Sequence, residues 1–273
     1  MRNDGPVPRS ATRRRRDRLL EVVRGGEVNI EELATRFNVS ASTIRRDLAA
    51  LAGDGRVMRT YGGAIGPHRD QEPSLRAKER HHAAQKEAIG CFAAGLVGRG
   101  DVVLLDAGTT VGRLAWHLRQ RDDITVVTNG LSSLLALHDA PRVEVIVLGG
   151  RLRRPNEAFL GPETDQALRR FRPDVAFLGA DGMHPHRGLN CPSPEQAATK
   201  ELMAASSRHA WVLADHSKLT SDPYPYWAAA SGATGLVTDS AAAPDDVQRF
   251  VEAGWRVELA AGHLAGIAAK GAV

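Results

Sequence analysis

Six short apolar runs recur through the last two-thirds of this chain, at residues 102–105, 124–128, 143–148, 175–178, 210–213 and 236–238. Stretches of helical periodicity precede the first (86–97), separate most of the others (111–119, 131–138, 162–171, 194–207) and follow the last (244–253). Strands that are apolar throughout, rather than alternating, are buried on both faces, and the helices between them supply the cover. This order predicts an α/β domain with a mostly parallel sheet covered by helices. In such sheets ligands bind beyond the carboxyl ends of the strands, so the residues that follow each strand carry the chemistry.

Those residues are small or polar. The first strand runs into Asp106-Ala107-Gly108-Thr109-Thr110 and then a helix. Gly108 permits close approach, and the two threonines offer hydroxyls beside the free N–H groups of a helix start, a place suited to a phosphate. The segment lacks the Gly-Lys-Ser/Thr of a P-loop and is not a dinucleotide fingerprint. Later strands end in Thr128-Asn129-Gly130, Gly149-Gly150, Gly179-Ala180-Asp181-Gly182 and Ala214-Asp215-His216-Ser217-Lys218. Taken singly, each is an ordinary turn; five in one domain favour a small polar ligand. Lys218 suits a phosphate as a point charge, and Asp106 and Asp181 suit sugar hydroxyls. Glu195 and Lys200 sit five apart on or near one helix and need not share a face. Arg outnumbers Lys thirty-one to five, which reads as coding bias and makes each lysine the more informative residue.

Charge separates a second region. The net charge is +4, yet residues 1–70 hold fourteen Arg against nine acidic residues, and the remainder of the chain is at −1. A basic module beside a near-neutral one fits a polyanion partner, although a solvated basic arm has the same signature. A Pro/Gly-containing tail at 1–11 leads into a helix at about 12–24, stopped by Gly25-Gly26, and residues 28–30 read as a short connection. A second helix spans 31–37, and Asn38-Val39-Ser40 makes a tight turn whose Ser40 can cap a third. In that third helix Ile44, Leu48 and Leu51 follow an i, i+4, i+7 stripe and face inward. Ser42 and Arg46 then point outward, with Thr43 and Arg45 on the flanks. Hydroxyl and guanidinium groups on a short exposed helix suit the major groove. Residues 56–61 alternate like a strand, and Gly62-Gly63 allows a reversal, so Arg56 and Arg59 are placed on a small wing along the phosphates. The alternative is a three-helix packing module with a basic surface.

The ordered set Leu33-Ala34, Phe37-Asn38-Val39-Ser40, Thr43-Ile44-Arg45-Arg46-Asp47-Leu48, Leu51, Arg59 and Gly62-Gly63-Ala64 closely resembles the winged helix-turn-helix of DeoR-type bacterial repressors. Asn38 stands where that family usually has Gly, and Tyr61 where His is common. The resemblance continues through Arg80, Lys86, 106–110, Thr128-Asn129, Gly149-Gly150, Gly161, 179–182, Glu195, Lys200, Asp215 and Ser217-Lys218. It implies a C-terminal fold similar to ribose-5-phosphate isomerase, used as a sensor. By that resemblance Asp106, Gly108, Thr109, Thr110 and Lys218 hold a phosphate; Asp181, Glu195 and Lys200 face the sugar; Thr128, Asn129, Gly149, Gly150 and Gly182 complete the effector site. The segment 191–194 and the run 228–233 depart from the family and leave ligand specificity open.

The expected organisation is a disordered tail (1–11), a winged helix-turn-helix (12–64), a linker (65–84) containing Gly66-Pro67 and Glu72-Pro73, and an effector domain (85–273). The expected function is repression of a carbohydrate-utilisation operon by a homo-oligomer bound to double-stranded operator DNA and controlled by a sugar phosphate. Two rivals remain open at this point: an isomerase-like enzyme using Asp106, Asp181 or Glu195 as bases, and a constitutive repressor with a merely structural second domain. An apolar fraction of 42% with 25% charged residues excludes a wholly disordered chain. No uncharged apolar run reaches the ~18–20 residues of a membrane span, and the Arg13 to Arg16 run leads into charge rather than an apolar signal core. Cys91 and Cys191 give neither a disulfide framework nor metal spacing. His81-His82 and His184-Pro185-His186 lack a helpful neighbour in sequence. No metal, cofactor, membrane partner or catalytic residue is expected, and the cytoplasm is the expected location.

Overall fold

The computed structural model describes residues 9–24, 28–53, 58–60, 63–65, 72–229 and 234–261. The chain divides into two compact units, Met1–Pro73 and Ser74–Val273.

The first unit contains α1 (Arg9–Arg24), β1 (Val28–Asn29), α2 (Ile30–Phe37), α3 (Ala41–Gly53), β2 (Met58–Thr60) and β3 (Gly63–Ile65). Its core is Leu19, Leu20 and Val23 from α1, Ile30 and Leu33 from α2, and Ile44, Leu48 and Leu51 from α3. The inward stripe of α3 is the one its spacing predicts. The α2–α3 turn works because Asn38 adopts the left-handed conformation (φ 50°), a region that Asn tolerates without a glycine. Ser40 Oγ accepts the Thr43 N–H at 3.2 Å, capping α3. Two features differ from the sequence expectation. α1 begins at Arg9, three residues inside the expected tail. The 28–29 connection is a strand that pairs antiparallel with β3, so the wing has three strands in the order β1-β3-β2.

The second unit opens with α4 (Leu75–Arg80), inside the segment the sequence marks as linker, where Ser74 caps the helix and Leu75 is buried. Then come α5 (Ala83–Ala94), β4 (Val102–Leu105), α6 (Thr109–Leu118), β5 (Thr125–Thr128), α7 (Leu131–Leu137), β6 (Glu144–Val147), β7 (Arg151–Arg153), β8 (Ala158–Leu160) and α8 (Pro162–Leu168). The remainder is β9 (Val175–Gly179), β10 (Gly182–His184), β11 (Gly188–Cys191), α9 (Pro194–Ser206), β12 (His209–Leu213), β13 (Tyr226–Ala228), β14 (Thr234–Asp239), α10 (Pro244–Glu252) and β15 (Arg256–Ala260).

Seven strands form one sheet in the order β15-β14-β12-β9-β4-β5-β6, and every pairing in it is parallel. Alternate residues of one strand enter different cores: Val103 and Leu105 pack with α5 and α6, while Leu104 packs with Leu178, Met203 and Phe250. That is why the strands read as unbroken apolar runs. Two smaller antiparallel elements, β7-β8 and β10-β11-β13, lie outside this sheet. The chain moves outward one way from β4 through β5 to β6, then returns to β4's other side with β9 and continues through β12, β14 and β15. The direction therefore reverses between β4 and β9, and at such a switch point the carboxyl ends of two neighbouring strands open a crevice.

α5 and α6 approach closely at Gly90, where an added Cβ would lie 2.7 Å from the Leu114 backbone nitrogen. Gly→Ala inside a helix ordinarily stabilises by about 0.5–1 kcal/mol. Here the sign should reverse: Gly90→Ala is expected to lower the unfolding free energy by about 1–3 kcal/mol through overpacking. Urea denaturation measures it, and equal or higher stability would contradict the packing described.

Candidate functional site

On the first unit, Ser42, Arg45 and Arg46 are exposed on α3, Thr43 is partly covered, and the stripe opposite is buried. Ser40 Oγ lies 2.8 Å from both the Ser42 and Thr43 hydroxyls, so these side chains are linked at the helix start. Arg45 is 3.6 Å from Glu31 of α2, an exposed pair that leaves its guanidinium accessible. Asp47 is the exception on this helix. It is 2% exposed and held by Arg15 at 2.6 Å and Arg16 at 2.9 Å, so part of the basic N-terminal run ties α1 to α3. Arg59 lies on β2 with its side chain outside the described residues, and Arg56 lies wholly outside them.

On the second unit, the switch-point crevice is built by the loop after β4, the end of β9, α9 and the turn after β12. Lys200 reaches from α9 to the Asp106 carboxylate and to the Gly179 carbonyl at 2.8 Å. Asp106 also accepts the Gly179 N–H at 3.1 Å, so one buried pair joins the ends of β4 and β9. Burial is the largest influence and opposes the charge on Lys200, but Asp106 together with the other anionic groups around it, Asp181 among them, reverses that and the ammonium is held above its ordinary pKa. Lys78 of α4 donates to Asp181 Oδ1 at 2.6 Å. Burial pushes the Asp181 carboxyl up, and Lys78, with Lys218 and Lys200, more than reverses that, so it stays ionised.

The crevice is lined by Lys78, Lys86, Gly108, Thr109, Thr110, Asn156, Asp181, Gln196, Lys200, Asp215 and Lys218, among others. Four of the chain's five lysines are thus in one place; Lys270 lies outside the described residues. Lys86 is buried on α5, donates to the Lys78 carbonyl and has its pKa lowered to about 8, mainly by burial. The start of α6 receives no side-chain cap, and Gly108 precedes it at φ 142°. Free N–H groups of a helix start and several ammonium groups at one point suit an anion. The space left is about 50 Å³, room for only a few waters, and the Lys78–Asp181 pair joins two of its lining residues.

Other residues marked by the sequence do not line this crevice. Thr128 bonds the Leu105 carbonyl at 2.8 Å and the Gly130 N–H at 2.9 Å, shaping a turn. Asn129 is buried and donates to the Phe159 carbonyl. Gly149 and Gly150 form a left-handed loop (φ 74° and 102°), and the Gly149 carbonyl accepts from Thr164. Gly182 leaves room for the Ser221 backbone. Glu195 pairs with exposed Arg151 at 2.9 Å; it and Lys200 occupy different faces of α9. Asp106 sits beneath the lining, paired to Lys200. Lys78, Asn156 and Gln196 were not picked out, although lysine's rarity marks Lys78. Cys191 is buried with its thiol pushed up to about 12 by burial, which makes it inert. A larger cavity of about 610 Å³ is lined by Met183, His184, Trp227 and Phe250, with Arg187 and Arg249 offset by Asp222 and Glu252, and by no lysine.

A helix-turn-helix with an exposed polar reader helix, joined to a parallel-sheet unit with a cationic crevice, defines a two-domain DNA-binding regulator. The description "DeoR-like helix-turn-helix domain" matches residues 15–70, and "DeoR C terminal sensor domain" matches residues 81–240. The chain belongs to the DeoR family of DNA-binding transcriptional regulators. Similar proteins include the transcriptional repressor AccR of Agrobacterium fabrum, 34% identical over 85% of this chain and 91% of that one. The HTH-type transcriptional repressor GlcR of Bacillus subtilis is 34% identical over 78% and 82%. The HTH-type transcriptional regulator YgbI of Escherichia coli K12 is 38% identical over 75% and 80%. These relatives are named as regulators, and the chain stands with them rather than with enzymes. Ribose-5-phosphate isomerase A of Methanocaldococcus jannaschii superposes on half of the chain (50%, and 54% of that protein) with TM-score 0.38 and 17% identity. Among the described residues, no helix is long and apolar enough to cross a membrane.

Removing one partner of the Lys200–Asp106 pair leaves a buried uncompensated charge, at a cost of about 3–5 kcal/mol. Asp106→Ala should show that loss in chemical denaturation; a change under about 1 kcal/mol would mean the pair is not buried as described.

Proposed function

We propose that this chain represses a carbohydrate-utilisation operon, binding operator DNA as a homo-oligomer through α3 and the wing, and that a sugar phosphate bound in the switch-point crevice alters its grip on DNA. The single observation that carries the effector reading is the convergence of Lys78, Lys86, Lys200 and Lys218 in a chain otherwise rich in arginine. The phosphate is met by the start of α6, with Thr109, Thr110, Lys86 and Lys218, and Asp181 accepts sugar hydroxyls. The sugar gains Asp181 by breaking its bond to Lys78, so binding opens the crevice and removes one of the bonds that hold α4. An effector shifts the DNA-binding equilibrium only by its differential affinity for the two arrangements, and a made and a broken Lys78–Asp181 bond supply such a difference. Two half-sites read by a pair of short modules give the affinity that one module lacks.

A gel-shift titration with DNA from upstream of the chain's own gene, repeated across pentose and hexose phosphates, tests the scheme. Binding that no phosphosugar alters would leave the repressor without this control; no binding would remove the repressor.

Arg46→Ala should weaken specific DNA binding by about 5- to 150-fold, the worth of a bidentate base contact of about 1–3 kcal/mol, with folding unchanged because the side chain lies opposite the core stripe. Fluorescence anisotropy with specific and scrambled DNA reads it, and unaltered specific affinity would contradict the assigned face.

The pH dependence follows from Lys86. With a pKa of about 8 it is cationic below that value and loses its charge above it. An anionic effector favours the charged form, so affinity should be full below pH 8 and fall as pH rises through it. A charged contact is worth about 1.5–3 kcal/mol, so the drop by pH 9 is on the order of tenfold. Calorimetric titration from pH 7 to 9, where the phosphate stays dianionic, should show that step in the natural chain and its absence in Lys86→Met. Identical profiles would take Lys86 out of the site.

A further inference from the structure

Two histidines far apart in sequence meet beside the crevice. His82 precedes α5 in the left-handed conformation (φ 53°), which is uncommon for a residue other than glycine, and its side chain does not cap the helix. Its ring lies 4.8 Å from that of His216, at 78°. His216 begins the short turn after β12, and its Nδ1 lies 3.0 and 3.1 Å from the two oxygens of Asp239. Asp239 is itself buried and further held by the His216 N–H at 2.8 Å and the Ala241 N–H at 3.0 Å. A fixed carboxylate on Nδ1 places the proton there and leaves the Nε2 lone pair available, the arrangement that orients metal-binding histidines. Asp215 is buried, and its Oδ1 is taken by the Ser217 N–H and hydroxyl, which leaves Oδ2. One donor atom from each of His82, Asp215 and His216 lies within 4.8 Å of the other two.

We propose that His82, Asp215 and His216 bind one divalent transition-metal ion of the Zn²⁺ or Co²⁺ type, with Asp239 as the positioning residue behind His216. Two imidazoles and one carboxylate are the donor set of borderline metals rather than of Mg²⁺ or Ca²⁺, and three protein ligands leave a coordination position open. Tetrahedral bonds of about 2.0–2.2 Å put ligand atoms ~3.4 Å apart, so donors as far as 4.8 Å apart must close by up to about 1.4 Å, a movement available to the partly exposed His82 ring. Burial, followed by His216, Lys86 and Lys218, holds the His82 imidazole below its ordinary pKa against the pull of Asp215, which keeps it a neutral ligand at neutral pH. Lys86 and Lys218 oppose a dication, and the carboxylates of Asp215 and Asp239 offset them. Asp215 and Lys218 also line the crevice, so the ion would sit at its rim. The inference stands whether or not a sugar phosphate is the effector.

The test uses the untagged full-length chain stripped with a chelator. Co²⁺ titration followed by visible absorption and Zn²⁺ titration by calorimetry are expected to show one equivalent bound. His82→Ala and His216→Ala should each abolish or weaken binding at least about 100-fold, and Asp239→Asn about 10- to 100-fold, the range for orienting partners; circular dichroism confirms folding. His82 is only partly buried and does not cap its helix, so its variant keeps the test decisive if His216→Ala does not fold. His184→Ala serves as a control for the other histidine pair and should change nothing. Absence of stoichiometric binding, equal affinity in His82→Ala, or binding lost in His184→Ala would overturn the proposal.

Discussion

The buried Lys200–Asp106 pair organises the second unit's chemistry. It spans the point where the sheet's strand order reverses, with Lys200 bonded to the end of β4 through Asp106 and to the end of β9 through the Gly179 carbonyl. A lone ammonium or carboxylate at this depth would cost several kcal/mol, so neither partner is replaceable singly. Held together, they fix the walls between which Gly108, Thr109, Thr110 and Asp181 present their polar groups. Asp106 thus supports the crevice from beneath rather than lining it.

The fold was legible because its determinants are local or periodic. The six apolar runs are parallel strands of one sheet; burial on both faces forces an unbroken apolar pattern on the inner strands, while 143–148 forms the half-exposed edge strand β6. The α3 stripe of Ile44, Leu48 and Leu51 needed only helical spacing. What escaped notice lacks such a pattern. Arg151–Arg153 is a charged strand in a two-stranded hairpin, and Arg256–Ala260 alternates at the sheet's edge, where β15 pairs with β14 alone. α4 hides among breakers, its cap and one buried leucine too short a signal to read.

The site was half legible for a related reason. A strand end announces itself by glycine and polar residues whether they face a ligand or merely build a turn. Thr128 and Gly149 share that signature with Gly108 and Thr110, yet Thr128 bonds the backbone of its own turn and the Gly149 carbonyl is taken by the Thr164 hydroxyl. Lys78 and Lys86 come from helices rather than strand ends. The scarcity of lysine marks both and the family resemblance marks Lys86 as well, but only the fold shows that they meet Lys218. The His82–His216 approach, across more than 130 residues of sequence, is likewise a product of topology.

The central claim is that the lysine-lined crevice, not the larger cavity beside β10 and α10 with its Arg187 and Arg249, receives the phosphate. Hydrogen–deuterium exchange of the full-length chain with and without each of a set of pentose and hexose phosphates tests it most directly. The account predicts slowed exchange at 105–112, 178–181 and 214–218, faster exchange in α4, and no change at 182–187 or 249–253. Protection confined to those last two segments, or none with any member of the set, would contradict it.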